Sequence, residues 1–279
     1  MNPAETRIRL LAIDLDGTLW DRSLTFGAED ARALRQAARL GVEVVPVTAR
    51  PPFGIEFGLH NGDFYHHAVA YNGSLVYERA THNVLLNLPI SPDQAKAVIH
   101  LIHKYHLYAG FYAGSDFYAE FDDENARLEA HSQGRHPVIV PDLIQYAQQG
   151  PNKLIVIELK DSQRLSQFYE EASQNLADLS FLYSTGNTIE ICRSEVSKAS
   201  GLRFLAERLG IQPEEILAVG DSYNDISMIE LAGIGVAVAN APEKVRQAAD
   251  WVTAACQDGG VARAVSRFIF EPPSTIECA

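Results

Sequence analysis

The stretch LLAIDLDGT, residues 10–18, sets four apolar residues directly before two aspartates one position apart and a glycine turn. A short, near-continuous apolar run of this kind reads as a strand buried on both faces that ends where the charged residues begin. Asp16-Gly17-Thr18 is a turn signal. Positions i and i+2 of an extended segment point the same way, so the carboxylates of Asp14 and Asp16 can approach one point. Next, AEDARALRQAARLG (28–41) spaces Ala31, Leu34, Ala38 and Leu40 as on a helix stopped by Gly41. VEVVPVTAR (42–50) is a second apolar strand, with Pro46 inside it and Pro51-Pro52 breaking the chain after it. Strand, helix, strand in this order predicts an α/β fold with a parallel sheet covered on both faces.

The pattern then changes and returns. HHAVAYNGSLVYE (66–78) reads as a hairpin with an Asn72-Gly73 turn. SPDQAKAVIHLIHKYH (91–106) starts like a helix, with Ser91 as N-cap and Pro92 at its first position. LYAGFYAG (107–114), KLIVIELK (153–160) and LYSTGNTIEICR (182–193) look like strands, so the middle third mixes hairpins and helices in the manner of a separate α+β unit. From KASGLRFLAERLG (198–210) onward, helices alternate again with apolar strands, EILAVGD (215–221) and IGVAVAN (234–240). The expected organisation is one discontinuous α/β core, 1–82 and 197–279, with an α+β insert at 83–196. The tail EPPSTIECA (271–279) is expected to fray.

Composition narrows the partners. The chain has 279 residues, 23 Lys+Arg against 36 Asp+Glu, and a formal net charge of −13. Nucleic acid and anionic membrane surfaces both attract the opposite balance, which excludes them as general partners. A hydrophobic fraction of 47% excludes disorder for most of the chain. Three widely spaced cysteines, Cys192, Cys256 and Cys278, form neither a disulfide framework nor a zinc motif and read as reduced thiols. The N-terminal apolar run, broken at Asp14, is too short for a signal peptide, and no stretch is long enough to span a membrane. These features predict a cytoplasmic protein.

The chemistry concentrates at two strand ends. Asp221 and Asp225 follow the apolar run ILAVG, as Asp14 and Asp16 follow LLAI. In an open parallel sheet both pairs lie outside the carboxyl ends of strands, where such folds bind ligands. Four carboxylates there repel one another unless a cation sits between them, and hard oxygen donors suit Mg2+. Thr48 offers a strand-end hydroxyl with a backbone N–H beside it. Lys198 sets an ammonium at a helix start, where N–H groups also favour an anion. Taken singly, Thr48 reads as an ordinary helix-start threonine and Lys198 as a surface lysine.

DLDGTL (14–19), VTAR (47–50), Lys198 in SKASGL (197–202) and GDSYNDISMIELAG (220–233) resemble, in order and spacing, the four motifs of the haloacid dehalogenase superfamily. AYNGSLVY (70–77), IEICRSEVSKASGL (189–202) and GVAVANAPEKVRQAADWVTAACQDGGVA (235–262) resemble its Cof-type branch, subclass IIB. The resemblance implies a Rossmannoid, doubly wound core with an inserted substrate-specificity cap of the C2B type. It implies a Mg2+-dependent phosphatase acting on small phosphorylated metabolites, sugar phosphates or similar, as a monomer or homodimer. Asp14 would be the nucleophile, forming an aspartyl-phosphate, and Asp16 the general acid and then base. Mg2+ would be held by the Asp14 carboxylate, the Asp16 backbone carbonyl and Asp221, with Asp225 in or near its outer shell. Thr48 and Lys198 would bind the phosphoryl oxygens, and Asn224 would orient Lys198 or a metal-bound water. Arg50 and Asn72 are candidate substrate contacts.

The sequence departs from the family pattern at Ala49, where a glycine is usual, at Pro46, and at Ala199-Ser200; none of these removes a reactive group. A phosphomutase on the same chemistry and a non-catalytic phosphometabolite-binding regulator are the alternatives. A serine hydrolase lacks its GxSxG elbow here, and GIGVAV lacks the third glycine of a dinucleotide site. His100, His103 and His106 recur every third residue on one helix. Successive steps of three rotate around the helix, which favours a polar face over a second metal site. LYAGFYAGSDFYAEF (107–121) reads as a packed sheet face, with a lining of the substrate side of the cap as the alternative, and Asp122-Asp123-Glu124 as a solvated turn.

Overall fold

The computed structural model describes residues 7–21, 23–59 and 62–271. The tail beyond 271, with Cys278, and His60 lie outside the described residues. Chain contacts divide it into two compact units, one of 1–49, 58–86 and 197–279, the other of 50–57 and 87–196.

The first unit begins with β1 (Leu10–Ile13), α1 (Ala28–Arg39) and β2 (Glu43–Pro46). A short helix of the second unit follows, α2 (Pro52–Gly58), and then β3 (His67–Ala70), β4 (Leu75–Glu78) and β5 (Val84–Asn87). The second unit continues with α3 (Pro92–Lys104), β6 (Tyr108–Ala113), β7 (Asp116–Ala119), α4 (Glu124–Gln133) and β8 (Val138–Ile139). It ends with β9 (Lys153–Ile157), α5 (Ser162–Asn175), β10 (Leu179–Thr185) and β11 (Thr188–Arg193). The chain returns to the first unit with α6 (Lys198–Leu209), β12 (Ile216–Gly220), α7 (Ile226–Leu231) and β13 (Ile234–Ala237). It closes with α8 (Glu243–Ala248), β14 (Trp251–Val252) and α9 (Gly260–Val265).

The core sheet has the order β14-β13-β12-β1-β2, and all its pairs are parallel. Its central strands β1 and β12 are buried throughout, and Leu10, Ala12, Val45 and Ala218 pack with Leu202, Leu205 and Met228 of the covering helices. This is the α/β sheet that the apolar strands imply. Pro46 leaves its mark. The amides of Glu43 and Val47 donate toward β1, and that of Thr48 donates to Val69. By alternation the missing N–H of Pro46 faces β3, and on that side only isolated bridges at Val44 and Val47 remain.

Three local expectations differ from the structure. The hairpin β3–β4 pairs Ala70 with Leu75, so four residues connect the strands and not the two of an Asn-Gly turn. Tyr71, Asn72 and Gly73 all take positive φ there. A Cβ on Gly73 would stand 2.1 Å from the carbonyl oxygen of Ser197, so that close approach demands glycine. Pro51-Pro52 does not simply break the chain: Pro52 opens α2, since fixed φ and a missing N–H suit a first helical position. Boundaries also shift. The first unit extends to Leu86 because β5 joins β3 and β4 in one sheet, and 50–57 groups with the insert through Phe53, which stacks on Tyr112 and Phe117.

The second unit is a six-stranded sheet, β10-β11-β9-β6-β7-β8, antiparallel except between β7 and β8. One face, with Phe111, Leu154, Val156, Ile189 and Ile191, packs on Val98, Ile99 and Ile102 of α3 and on Leu165 and Phe168 of α5. Tyr112 and Phe117 stack at 4.3 Å on the other face, so the aromatic segment is sheet packing as expected. His103 bonds Glu120, whose Oε1 also accepts from the Leu143 amide, and Asp142 caps the turn at 143–149. Asp123 is the N-cap of α4, bonding the amides of Asn125 and Ala126, which gives the acidic turn a structural task. No helix among the described residues is long and apolar enough to cross a membrane.

Glu129 of α4 is buried against β6, in space left by the missing side chain of Gly110. Burial pushes its carboxyl up to about 7, against the hydroxyls of Tyr112 and Tyr108 and the charge of Lys153, which favour the anion. The folded chain therefore holds a proton that the unfolded chain releases near 4.5, and stability falls as pH rises between those values. Urea unfolding at pH 5 and pH 8 should show wild type losing about 2–3 kcal/mol more than Glu129→Gln, from about 1.4 kcal/mol per pH unit. Equal losses would place the proton elsewhere.

Candidate active site

β1, β2 and β12 are neighbours running in one direction, so the residues that follow them share one edge of the core sheet. Asp14 follows β1 and anchors through its amide on Val219 of β12 at 3.0 Å. Gly17, at φ +85, turns the chain back, and a Cβ there would stand 2.5 Å from an Asp221 carboxylate oxygen. Asp221 follows β12 and accepts from the Thr18 hydroxyl at 2.8 Å and the Ser222 hydroxyl at 3.2 Å. Lys198 opens α6 because Ser197 is its N-cap, bonding the Ser200 amide in a reciprocal capping box.

The ammonium of Lys198, 2% exposed with its residue, lies 2.5 Å from Asp14 Oδ1 and 2.5 Å from Asp225 Oδ1. The other oxygen of Asp225 accepts the amides of Asp221 at 3.0 Å and Ser222 at 2.8 Å. Oxygens of Asp14, Asp221 and Asp225 all come within 4.8 Å of one another. Burial, then the charge of Asp225, raises the Asp14 carboxyl well above the usual range, and Lys198 offsets this in part. The same two causes raise Asp221. Burial disfavours the Lys198 ammonium, but Asp14 and Asp225 outweigh it and the net shift is upward.

The structure thus brings together Asp14, Lys198, Asp221 and Asp225. Asp16 stands exposed on the same turn, its Oδ1 accepting from the Trp20 indole at 3.1 Å. Thr48 is buried after β2, and its own amide is spent on Val69. Asn224 reaches Asn72, amide to carbonyl at 3.0 Å, and so braces the left-handed turn at 71–73. Arg50 belongs to the other unit, where it bonds the Ser132 carbonyl at 2.7 Å.

A family model for haloacid dehalogenase-like hydrolases matches residues 11–265. The chain belongs to the haloacid dehalogenase-like hydrolases. It lies in their Cof-type branch and is a phosphoric monoester hydrolase. A phosphoglycolate phosphatase of Methanothermobacter thermautotrophicus is 30% identical over 94% of this chain and 99% of its own. A 5-amino-6-(5-phospho-D-ribitylamino)uracil phosphatase of Bacillus subtilis is 28% identical over 94% and 96%. A Cof-like hydrolase structure from Plasmodium vivax superposes with TM-score 0.83 at 25% identity, covering 94% of this chain and 96% of that one.

Four groups of this candidate site were not singled out from sequence. Trp20 and Ser222 bond Asp16 and Asp221, Ser197 caps the lysine's helix, and Asn240 donates to the Gly17 carbonyl at 2.8 Å. The serine three residues before Ser200 is a readable capping signal; Trp20 and Ser222 act within their own turns, and Asn240 depends on distant loops meeting in space.

Removing the ammonium would leave two buried carboxylates facing each other. Lys198→Met should lower the urea unfolding free energy, without added metal, by about 3–5 kcal/mol, and adding Asp225→Asn should recover part of it. A double variant less stable than the single one would show that the ion pair does not carry the loss.

Proposed function

We propose that this enzyme hydrolyses phosphomonoesters of small metabolites through an aspartyl-phosphate on Asp14, with Mg2+ as its metal. The observation that carries the reading is the carboxylate of Asp14, held 2.5 Å from a buried ammonium at the edge of a parallel sheet. Three close carboxylates face one ammonium, and burial, then the charge of Asp225, raises the Asp14 and Asp221 carboxyls. A hard divalent cation with oxygen ligands fits that excess. Asp14, Asp221 and the Asp16 backbone carbonyl would hold it, and it would supply charge neutralisation for the phosphoryl oxygens. Asp225, with both oxygens engaged, acts as the holder of Lys198.

In the first step an Asp14 oxygen forms a bond to phosphorus and the ester P–O bond breaks. The electron pair stays on the leaving oxygen, which takes a proton from Asp16. In the second step Asp16 takes a proton from water as the water oxygen bonds phosphorus. The P–O bond to Asp14 then breaks, returning its carboxylate and releasing inorganic phosphate. Lys198 and Thr48 hold the phosphoryl oxygens.

The core, 1–82 and 197–279 as read from sequence, carries this chemistry, and the insert at 83–196 selects the ester. Relatives named for phosphoglycolate and for a phosphoribitylaminouracil support small, polar, phosphorylated alcohols as the substrate class. The buried free thiols of Cys192 and Cys256 accord with a cytoplasmic setting.

A panel of phosphorylated metabolites with Mg2+, read as phosphate release, tests the reading. Asp14→Asn should lower turnover by on the order of 10^4 or more, and EDTA should abolish it until Mg2+ is restored. Isomerised sugar phosphate with little free phosphate would make the enzyme a mutase, and hydrolysis retained by Asp14→Asn would remove the nucleophile assignment.

A further inference from the structure

We propose that Trp20 is a positioning residue that fixes the carboxyl of Asp16 for proton transfer to the leaving oxygen. The inference rests on Asp16 being the general acid of the reaction above. The Trp20 indole is fully buried, and a buried indole N–H requires an acceptor. It takes the one carboxylate of the turn whose residue is exposed, Asp16, at 3.1 Å.

Backbone and packing both hold the donor in place. The amides of Leu19 and Trp20 donate to the Leu15 carbonyl at 3.0 Å, and the Gly17 amide donates to the Trp20 carbonyl at 2.8 Å. Asp16 and Trp20 thereby form a bridge across the turn. The ring lies against Gly58, where a Cβ would stand 2.4 Å from the ring edge, so that glycine keeps the slot open. An exposed aspartate samples several rotamers, and a bond from an immobile donor selects one of them. Orienting the acid in this way converts a search over rotamers into a set geometry for proton transfer.

The bond also chooses the oxygen. With Oδ1 accepting the indole N–H, the proton that Asp16 delivers resides on Oδ2. As the Asp14–phosphorus bond forms and the ester P–O bond breaks, the leaving oxygen keeps the electron pair and takes that proton, leaving Asp16 as a carboxylate. In the hydrolytic step water returns a proton to Asp16. An alkoxide is too basic to leave well without the proton, whereas a nitrophenolate leaves without it. A residue that acts through Asp16 therefore matters for alkyl esters and little for aryl esters. A residue that serves only packing affects both alike.

The test compares kcat/KM, which reports phosphoryl transfer to Asp14, for 4-nitrophenyl phosphate and for two alkyl esters, glycerol 3-phosphate and ribose 5-phosphate. The variants are Trp20→Phe, Asp16→Asn, and the full-length protein carrying 3-benzothienylalanine at position 20. That residue keeps the shape of the indole and puts sulfur in place of the N–H, so it decides the matter if Trp20→Phe melts early. Both Trp20 replacements should lose about 10- to 100-fold on the alkyl esters and less than about 3-fold on the aryl ester. Equal losses on the two ester types, or unchanged alkyl turnover in the benzothienyl protein, would overturn the role of Trp20. Should Asp16→Asn lack the leaving-group dependence, Asp16 is not the acid and both assignments fall; dependence in Asp16→Asn alone leaves the acid standing and removes Trp20.

Discussion

One buried ammonium organises the candidate active site of this protein. Lys198, at 2.5 Å from both Asp14 and Asp225, offsets the repulsion of two carboxylates that share a buried site. Each of the three ions alone would cost several kcal/mol to desolvate, so each is tolerable only with the others in place. The triad therefore ties the start of α6 to the ends of β1 and β12. Asp225 extends the tie, because its second oxygen gathers the amides of Asp221 and Ser222 and so shapes the loop that presents Asp221. The Ser197 cap and the contact of Gly73 with the Ser197 carbonyl set where that helix begins.

What could be read from sequence follows from this. Asp14, Asp16, Asp221 and Lys198 sit at strand or helix ends whose apolar runs and capping residues are local, and alternation alone puts the first two on one side of a strand. Parallel pairing follows from strand–helix order. The missed features are those that a single segment does not encode. Pro51-Pro52 is a breaker by composition and a helix start in the fold, because Phe53 finds a stacking partner far along the chain. Asn72-Gly73 carries a two-residue turn signal, yet Asn224 bracing Asn72 and Ser197 against Gly73 select a longer left-handed connection. His103 has nothing in its helix to explain it; Glu120, from the end of another strand, does.

The net charge of −13 described partners and not the site. It argues against polyanions, yet the enzyme is built for a small anion. Locally the sign is set by Lys198 and the helix start beneath it, within the few ångströms where low dielectric strengthens charge, and the proposed cation would add to both.

The two units bury excess carboxylate in different ways, and the difference follows from chemistry. In the insert, Glu129 lies among Tyr108, Tyr112, Lys153 and Glu190, and it relieves its burial by keeping a proton. Burial there outweighs the pull of Lys153 and the two tyrosine hydroxyls toward the anion, so the carboxyl is raised. Asp14 is raised by the same burial and by its acidic neighbours, but a protonated carboxyl is a far weaker nucleophile than the carboxylate that the proposed mechanism uses. In the proposed mechanism relief at Asp14 would therefore come from positive charge. Lys198 supplies one unit, divided between two aspartates, and Asp221 adds a further negative charge to the same few ångströms. The second cation of the proposed mechanism would favour the ionised form of Asp14, besides any contribution it makes to the phosphoryl group.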